Sequence, residues 1–441
     1  MPDSINHLNL KALKNSFKHL LSGSKEHTAE KTAYIIAHLS STETYNKKYL
    51  DEFLEFYNKS PKNQLAFFSA IAQSEQYLIF AIFNKIFALT DNPQMLLDLR
   101  TDLKQILRQK NPGITAERHK ALKNLDLIFR QYLETIFNYQ YLLLDEHNAD
   151  NTPLNLLKFI AEKEGVHPAE HFANFEYRLN SPDRLVLSLS HFKLEKSPIV
   201  YIEIALSKKV IRDIHEILSP KHQIEDPEKC RTAVFYSVNK CVNGLSGVKL
   251  GEKMILKAVE YLHTHYPKLK NFMTLSPVPG FTEYLKKLIN NDPDLTIPLN
   301  KLGSQVLPHK DIIREIDTYF DRKYSKKTTG ISGTISHLIH DTSWIADKKA
   351  RSLVSPLIFG LSRNYLLAEK RHLPNIDTAS DPVENFHLNN GGELRYINVF
   401  SNLSEKGIKE SLGTMVNYSY TLGNIEKNRE LYHNGTIIHQ V

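Results

Sequence analysis

Two short segments carry residues able to move a proton. In Thr274-Leu275-Ser276-Pro277-Val278-Pro279-Gly280-Phe281 a serine stands between a β-rich run and two prolines. Proline fixes its own φ and donates no N–H, so the turn is stiff and Ser276 has a defined position near the carboxyl end of a strand. Ligands of α/β sheets gather outside such ends. In Asp381-Pro382-Val383-Glu384-Asn385-Phe386-His387-Leu388-Asn389-Asn390-Gly391-Gly392 a histidine sits between apolar neighbours and leads into a tight Asn-Gly turn and a strand. Imidazole exchanges a proton near neutrality. Each segment also has a plain structural reading. Serine before proline is a common turn former, and any one of 20 histidines is more often a hydrogen-bonded packing residue than a catalyst. His337 and His340 suggest a metal pair, but no third ligand is near them in sequence, and we read them as structural.

A third segment, Asn243-Gly244-Leu245-Ser246-Gly247-Val248-Lys249-Leu250-Gly251, follows the β-rich run Thr232–Val238 and precedes a long amphipathic run. Glycines let the backbone approach a ligand without a Cβ in the way. A helix N-terminus adds unpaired N–H groups and a positive dipole end, a combination that holds pyrophosphate. Lys249 and Lys253 add charge. The segment is neither Gly-x-Gly-x-x-Gly nor Gly-Lys-Ser/Thr, and a glycine-rich strand-to-helix turn is common without any ligand.

Two regions of different periodicity must position these segments. Up to about residue 165 the apolar residues recur at helical spacing. The spacing predicts helices over Leu8–Leu21, Ala29–Ser41, Thr44–Lys59, Asn63–Leu89, Pro93–Gln109, Ala116–Asp145 and Pro153–Glu164, with breaks at Pro61, Asp91-Asn92-Pro93 and Asn111-Pro112-Gly113. The frequent aromatic residues there read as helix packing rather than a ligand box. The pattern changes near Gly165-Val166-His167-Pro168. Strands are predicted at Leu185–His191, Ile199–Leu206, Thr232–Val238, Phe272–Leu275 and Leu394–Phe400. Helices are predicted at Lys209–Leu218, Val248–His265, Asp311–Lys323, Ala346–Lys370 and near Lys406–Tyr420. The expected class is α+β: an all-α helical bundle over residues 1–165, for scaffolding or oligomer contacts, then a layered α/β catalytic domain over 166–441.

The 441 residues, 41% hydrophobic and 24% charged, have ordinary globular composition and can bury a sizeable core. Two cysteines, Cys230 and Cys241, exclude a disulfide scaffold and an all-cysteine zinc site. A net charge of +7 favours an anionic partner. Acidic residues interleave with the basic ones, no nucleic-acid motif is present, and a phosphorylated small molecule suits the charge as well. Met1–Leu21 lacks a signal-peptide core, and Tyr77–Leu89 is too short to span a bilayer. The expected setting is cytoplasmic, with neither membrane nor nucleic acid as partner.

Taken together, the segments resemble a known family. The Gly244–Gly251 turn is similar to the pyrophosphate loop with which GNAT-type acyltransferases grip coenzyme A. Five blocks in one order, Ala233–Asn239, Gly244–Gly251, Thr274–Phe281, Pro382–Gly391 and Gly413–Tyr420, resemble the malonyl-CoA decarboxylases. Weaker similarity lies in Ile202–Leu206 and Tyr365–Lys370. The resemblance implies a helical N-terminal domain and a GNAT-like catalytic domain. It implies conversion of malonyl-CoA to acetyl-CoA and CO2 with no metal or organic cofactor, by a homo-oligomer such as a dimer or tetramer. By position it puts the CoA-binding loop on Gly244 and on Ser246, Gly247, Val248, Lys249, Leu250, Gly251 and Glu252. The proton-accepting serine falls on Ser276, the proton-donating histidine on His387, and a positioning tyrosine pair on Tyr418 and Tyr420. The chain departs from the family at Leu373–Ser380, which reads as an insertion, at Glu384, where a small residue is usual, and at Asn402, where aspartate is usual. A CoA-dependent acyltransferase and a non-catalytic CoA-binding protein are the competing readings. The first needs an acceptor-amine groove, for which no signature is present. The second predicts loss of Ser276 or His387, and both are there.

Overall fold

The computed structural model describes residues 26–41, 46–109, 114–169, 172–194, 197–291, 310–324, 330–373 and 376–441. The predicted helix Leu8–Leu21 lies outside them. Helices α1 (Glu26–Ser40), α2 (Lys47–Asn58), α3 (Pro61–Ile71), α4 (Gln76–Thr90), α5 (Gln94–Arg108) and α6 (Ala116–Ile136) form the N-terminal helical region. Local chemistry sets their starts. Ser60 caps α3 with Pro61 at its first position, and Thr115 caps α6. Phe53, Phe67, Phe68, Phe83 and Phe129 are fully buried among them, with Phe83 stacked on Phe129 at 4.1 Å. These rings are the packing that the aromatic spacing predicted.

Two expectations for this region change. Asn63–Leu89 is two helices, because the chain turns at Gln73-Ser74-Glu75. Ala116–Asp145 is not one helix. It ends at Ile136, and Leu142–His147 is strand β1.

The strands that follow are β2 (Arg184–His191), β3 (Pro198–Ser207), β4 (Thr232–Lys240), β5 (Asn271–Thr274), β6 (Ser276–Pro277), β9 (Glu393–Asn398) and β10 (Met415–Tyr420). With β1 they make an eight-stranded sheet in the order β1-β2-β3-β4-β5-β10-β6, with β9 also on β10; β7 (Lys370–Leu373) and β8 (Ile376–Ala379) form a separate hairpin. Every residue of β2 and β3 is buried; the apolar run of β3 suits a strand covered on both faces, while β2 also buries Arg184, Ser188, Ser190 and His191. Between and after the strands come α7 (Leu154–Glu162), α8 (Phe172–Asn180), α9 (His215–Leu218), α10 (Leu250–His265), α11 (Phe281–Asn291), α12 (Lys310–Tyr324), α13 (Gly330–His340), α14 (Lys348–Ala368), α15 (Pro382–Asn389), α16 (Glu405–Ser411) and α17 (Ile425–His433). A helical region followed by a mixed α/β sheet domain is thus the fold class the periodicity predicted.

The chain divides into two compact units. One holds residues 1–145, 188–201 and 240–254; the other holds 146–187, 202–239 and 255–441. Two predicted elements are corrected in the second. Lys209–Leu218 is helical only from His215, since the chain enters it irregularly with Asp213 Oδ1 accepting from His215 N. Lys406–Tyr420 is not one helix. Leu412 (φ 48°) and Gly413 (φ 77°) take left-handed conformations that end α16, and the aromatic, β-branched run beyond them is β10. The segment around His387, read only as leading into the Asn-Gly turn, is helix α15.

Candidate active site

Ser276 and His387, 111 residues apart, meet in the second unit. Ser276 Oγ lies 2.9 Å from His387 Nε2, and both residues are buried. The other ring nitrogen, Nδ1, is 2.8 Å from the Tyr420 hydroxyl. Tyr418 stacks on the imidazole with ring centroids 4.6 Å apart. All four residues singled out for chemistry therefore gather around one imidazole.

Strand β10 explains how. It pairs antiparallel with β5, placing Tyr420 opposite Phe272, and with β6, placing Val416 opposite Ser276. Residues two apart on a strand share a face, so Tyr418 and Tyr420 project together. The chain steps from β5 to β6 at Leu275, leaving a gap in the ladder. Asn417 fills it: its Nδ2 donates to Thr274 O (2.7 Å) and to Ile211 O (3.1 Å). Thr274 Oγ1 accepts from Tyr418 N and from Ser276 Oγ, at 3.1 and 3.0 Å.

Helix α15 is anchored at both ends. Asp381, buried at its N-cap, accepts from Val383 N (2.9 Å) and Glu384 N (3.1 Å) through Oδ1. Its Oδ2 accepts from Gly280 N at 3.1 Å, which ties the histidine helix to the serine turn. A Cβ at Gly280 would stand 2.1 Å from the Tyr365 hydroxyl, so a larger residue there would displace that side chain. After the helix, Gly392 N donates to His387 O (2.9 Å), and a Cβ on Gly392 would lie 2.9 Å from that same oxygen. The Asn-Gly turn read from the sequence thus folds back onto the histidine's own carbonyl.

Burial pushes the His387 imidazole down to about 3, so the resting ring is neutral. One nitrogen then carries hydrogen. Because the single Ser276 hydroxyl hydrogen goes to Thr274 Oγ1, Nε2–H donates to Ser276 Oγ and the Tyr420 hydroxyl donates to Nδ1. Burial also raises the Tyr418 phenol well above its ordinary range, keeping it protonated. Such a cluster can hold a proton ready at Nε2 or Oγ and hydrogen-bond a developing oxyanion.

The glycine segment lies in the first unit, held by the helical region. Gly244 has φ 83° and sits so close to α5 that a Cβ would be 2.4 Å from Leu97 O. Its own carbonyl accepts from Arg100 Nη1 (2.7 Å), and Ser246 Oγ accepts from Lys104 Nζ (2.5 Å). Gly247, at φ 84°, lies against Arg130 of α6. Helix α10 begins at Leu250, two residues later than its periodicity predicts, so Val248 and Lys249 belong to the loop, and Gly251 and Glu252 to the helix. Arg100, Lys104 and Arg130 are cations beside this loop that the sequence reading missed. Their helical spacing gave no sign of it, since nothing local says which loop a helix will meet. Asp381 was more legible, as Asp-Pro before a helix is a capping signal. Among the described residues no group of three or more potential metal ligands occurs.

The buried serine–histidine pair stands in a mixed α/β sheet domain that follows a helical region in the chain. Residues 141–441 match the family model described as the malonyl-CoA decarboxylase C-terminal domain. The mitochondrial malonyl-CoA decarboxylase of Anser anser anser is 30% identical over 355 residues, 80% of this chain and 66% of that protein. That of Rattus norvegicus is 30% identical over 368 residues, 80% of this chain and 69% of that protein. The chain therefore spans about two thirds of the length of these relatives. The crystal structure of malonyl-CoA decarboxylase from Rhodopseudomonas palustris shares the fold, with a TM-score of 0.71 at 24% identity, over 93% of this chain and 98% of that one. The corresponding structure from Agrobacterium vitis has a TM-score of 0.65 at 25% identity, over 99% and 98% of the two chains. The chain belongs to the malonyl-CoA decarboxylase family.

Proposed function

We propose that this protein is a carboxy-lyase that converts malonyl-CoA to acetyl-CoA and CO2. The observation that carries the reading is the buried Ser276 Oγ–His387 Nε2 contact at 2.9 Å, backed by Tyr420 on the other ring nitrogen.

The reaction breaks the bond between the α-carbon and the carboxylate. Its electron pair passes into the thioester carbonyl, CO2 departs, and an enolate remains; one proton added to the α-carbon then gives the acetyl group. The protein has two tasks, to stabilise the enolate oxygen and to deliver that proton. We assign proton delivery to His387 and the acceptor or relay role to Ser276. Tyr420 orients the imidazole through Nδ1, and Tyr418 fixes its plane by stacking. The resting histidine is neutral, so it must gain the proton it delivers. The carboxylate of the incoming acyl group favours that gain, because an opposite charge nearby raises an imidazole's affinity for a proton. The pair needs no metal and no organic cofactor in this scheme.

We assign CoA binding to residues Gly244 and Ser246–Glu252, supported by the positive-φ glycines and by Arg100, Lys104 and Arg130 beside them. Residues 1–165, which hold the N-terminal helices and strand β1, serve self-association into a dimer or tetramer, which light scattering with and without CoA checks, and residues 166–441 carry the chemistry. A cytoplasmic setting suits Cys230 and Cys241, which are buried and form no disulfide. Among the described residues no helix is long and apolar enough to cross a membrane.

The test is CO2 release from malonyl-CoA with no amine present, with acetyl-CoA followed by mass spectrometry and methylmalonyl-CoA run in parallel. Release of CO2 with stoichiometric acetyl-CoA supports the reading. Acetyl transfer to an added amine without CO2 release would overturn it in favour of an acyltransferase.

A further inference from the structure

Glu384 is the one acidic residue within the turns of α15, three positions before His387, and its carboxyl is completely buried. Residues three apart on a helix lie on the same side, their Cβ atoms about 5–6 Å from each other. Among the described residues neither Glu384 oxygen has a hydrogen-bond partner. Asp381 is the contrast. Also buried, it accepts from three backbone N–H groups, Gly280, Val383 and Glu384, and from the Tyr365 hydroxyl at 3.5 Å. Burial raises both carboxyls, but N–H donors oppose the rise at Asp381 and none does at Glu384, so Glu384 is the one that holds a proton more readily.

We propose that Glu384 is a specificity-determining residue that works by being uncharged. As a neutral carboxylic acid it leaves Asp381, locked in N–H bonds, as the only anion on the His387 helix. The surroundings of His387 then admit a carboxylate-bearing acyl group rather than repel it. The inference rests on the reaction proposed above and names what lets that site accept an anionic substrate.

Burial and the Asp381 charge both push the Glu384 carboxyl well above the usual carboxylate range, in keeping with this geometry. The other ionisable groups around it are His387 on its own helix, Tyr365 on α14 with Glu369 just after it, Lys370 on β7, Tyr418 and Tyr420 on β10, and Tyr432 on α17. Lys370 is the sole cation in that set. Its ammonium favours ionisation of Glu384, so it sets how alkaline the medium must be before the acid gives up its proton.

The experiment measures KM for malonyl-CoA and Ki for acetyl-CoA across the whole alkaline range in which circular dichroism shows the protein folded. A buried like charge is worth a pKa unit or more, so KM for malonyl-CoA is expected to rise at least about tenfold as Glu384 ionises, while Ki for acetyl-CoA, which has no acyl carboxylate, stays flat. Glu384→Gln, isosteric with the neutral acid, should flatten the malonyl-CoA profile. Glu384→Ala should do the same even where lost volume lowers stability. Lys370→Gln should move the rise to higher pH. Persistence of the rise in Glu384→Gln, or its movement to lower pH in Lys370→Gln, would overturn the proposal, as would parallel changes for the two ligands.

Two measurements read the proton independently of activity. Infrared spectra of the wild type should contain a protonated carboxyl band missing from Glu384→Gln. Urea unfolding should show the wild type losing stability relative to that variant as pH rises above about 5, since the folded state then holds a proton the unfolded chain has released. Failure of both would remove the neutral acid itself. A wild type that releases no CO2 at any pH would instead overturn the reaction, and the two physical measurements keep these failures apart.

Discussion

Replacing His387 by asparagine tests the proposed chemistry and the burial behind it in one variant. Asparagine keeps a planar polar group but has no titratable proton and cannot bridge Ser276 Oγ and Tyr420 Oη, which lie 2.9 and 2.8 Å from the two ring nitrogens. A positioned general acid is worth roughly 10²–10⁴-fold, so kcat per folded molecule should fall by that factor while CoA affinity changes little. Stability carries a second signature. Burial lowers His387 from 6.5 to about 3. Below pH 6.5 the unfolded chain therefore binds a proton that the folded chain refuses, and wild-type stability is lost as pH falls toward 3 at about 1.4 kcal/mol per unit. Asparagine incurs no such loss. At about pH 7.5 the variant is the less stable by the two disrupted hydrogen bonds, about 1–3 kcal/mol each where a buried partner is left unpaired. At about pH 5 the gap should have narrowed by roughly 2 kcal/mol. His167, pushed down to about 4 by burial, titrates in the same window in both proteins and drops out of the difference. The assays are CO2 release normalised to folded protein and urea unfolding at the two pH values. More than about a third of wild-type kcat in the variant would refute the proton-donor role. A gap that fails to narrow would refute the neutral, buried imidazole.

Three further outcomes follow from the same geometry. Tyr420→Phe removes the hydroxyl at Nδ1 and should lower kcat by roughly 5- to 150-fold, the kinetic equivalent of about 1–3 kcal/mol, with KM changed much less; an unchanged kcat would deny Tyr420 its orienting role. Gly247→Val forces a branched side chain into a φ of 84° beside Arg130 and should raise KM for malonyl-CoA with circular dichroism unaltered; unchanged KM and calorimetric CoA affinity would remove the loop assignment. Binding of malonyl-CoA near neutral pH should take up protons, measured calorimetrically in buffers of different ionisation enthalpy. Acetyl-CoA should not do so, and equal uptake by both would contradict charge-driven protonation of His387.

Much of this was legible in the sequence because short-range chemistry marks it. Pro277 and Pro279 stiffen the turn after Ser276, Asp381-Pro382 announces a helix start, and Asn390-Gly391 announces the reversal behind His387. The run Met415–Tyr420 was misread because its apolar residues continue the helical spacing begun at Lys406. Gly413 is a helix-stop signal that the reading passed over, whereas the left-handed Leu412 before it becomes visible only in three dimensions. The split of Asn63–Leu89 is similar, since Gln73-Ser74-Glu75 contains neither proline nor glycine. The cations beside the glycine loop were out of reach for another reason. Arg100 falls by helical periodicity on the buried face with Leu96, Leu99 and Leu103, and nothing local shows that the Gly244 carbonyl and Asp126 will receive its guanidinium there.

That misread strand is what makes the site. Ser276 and Thr274 stand on separate short strands, joined to each other by the hydrogen bond between their hydroxyls. Strand β10 pairs with both, and its Asn417 side chain supplies at the break the hydrogen bonds that the ladder lacks. The same strand sends Tyr418 and Tyr420 toward the histidine helix, so serine, imidazole and phenols all take their positions from one six-residue segment. Asp381 then joins α15 to the serine turn from the other side. A change that shifts β10 by one residue would turn both tyrosines to the opposite face while leaving every local motif intact. Recognising the serine and histidine motifs is therefore not enough to infer a working pair; the strand between them has to be placed.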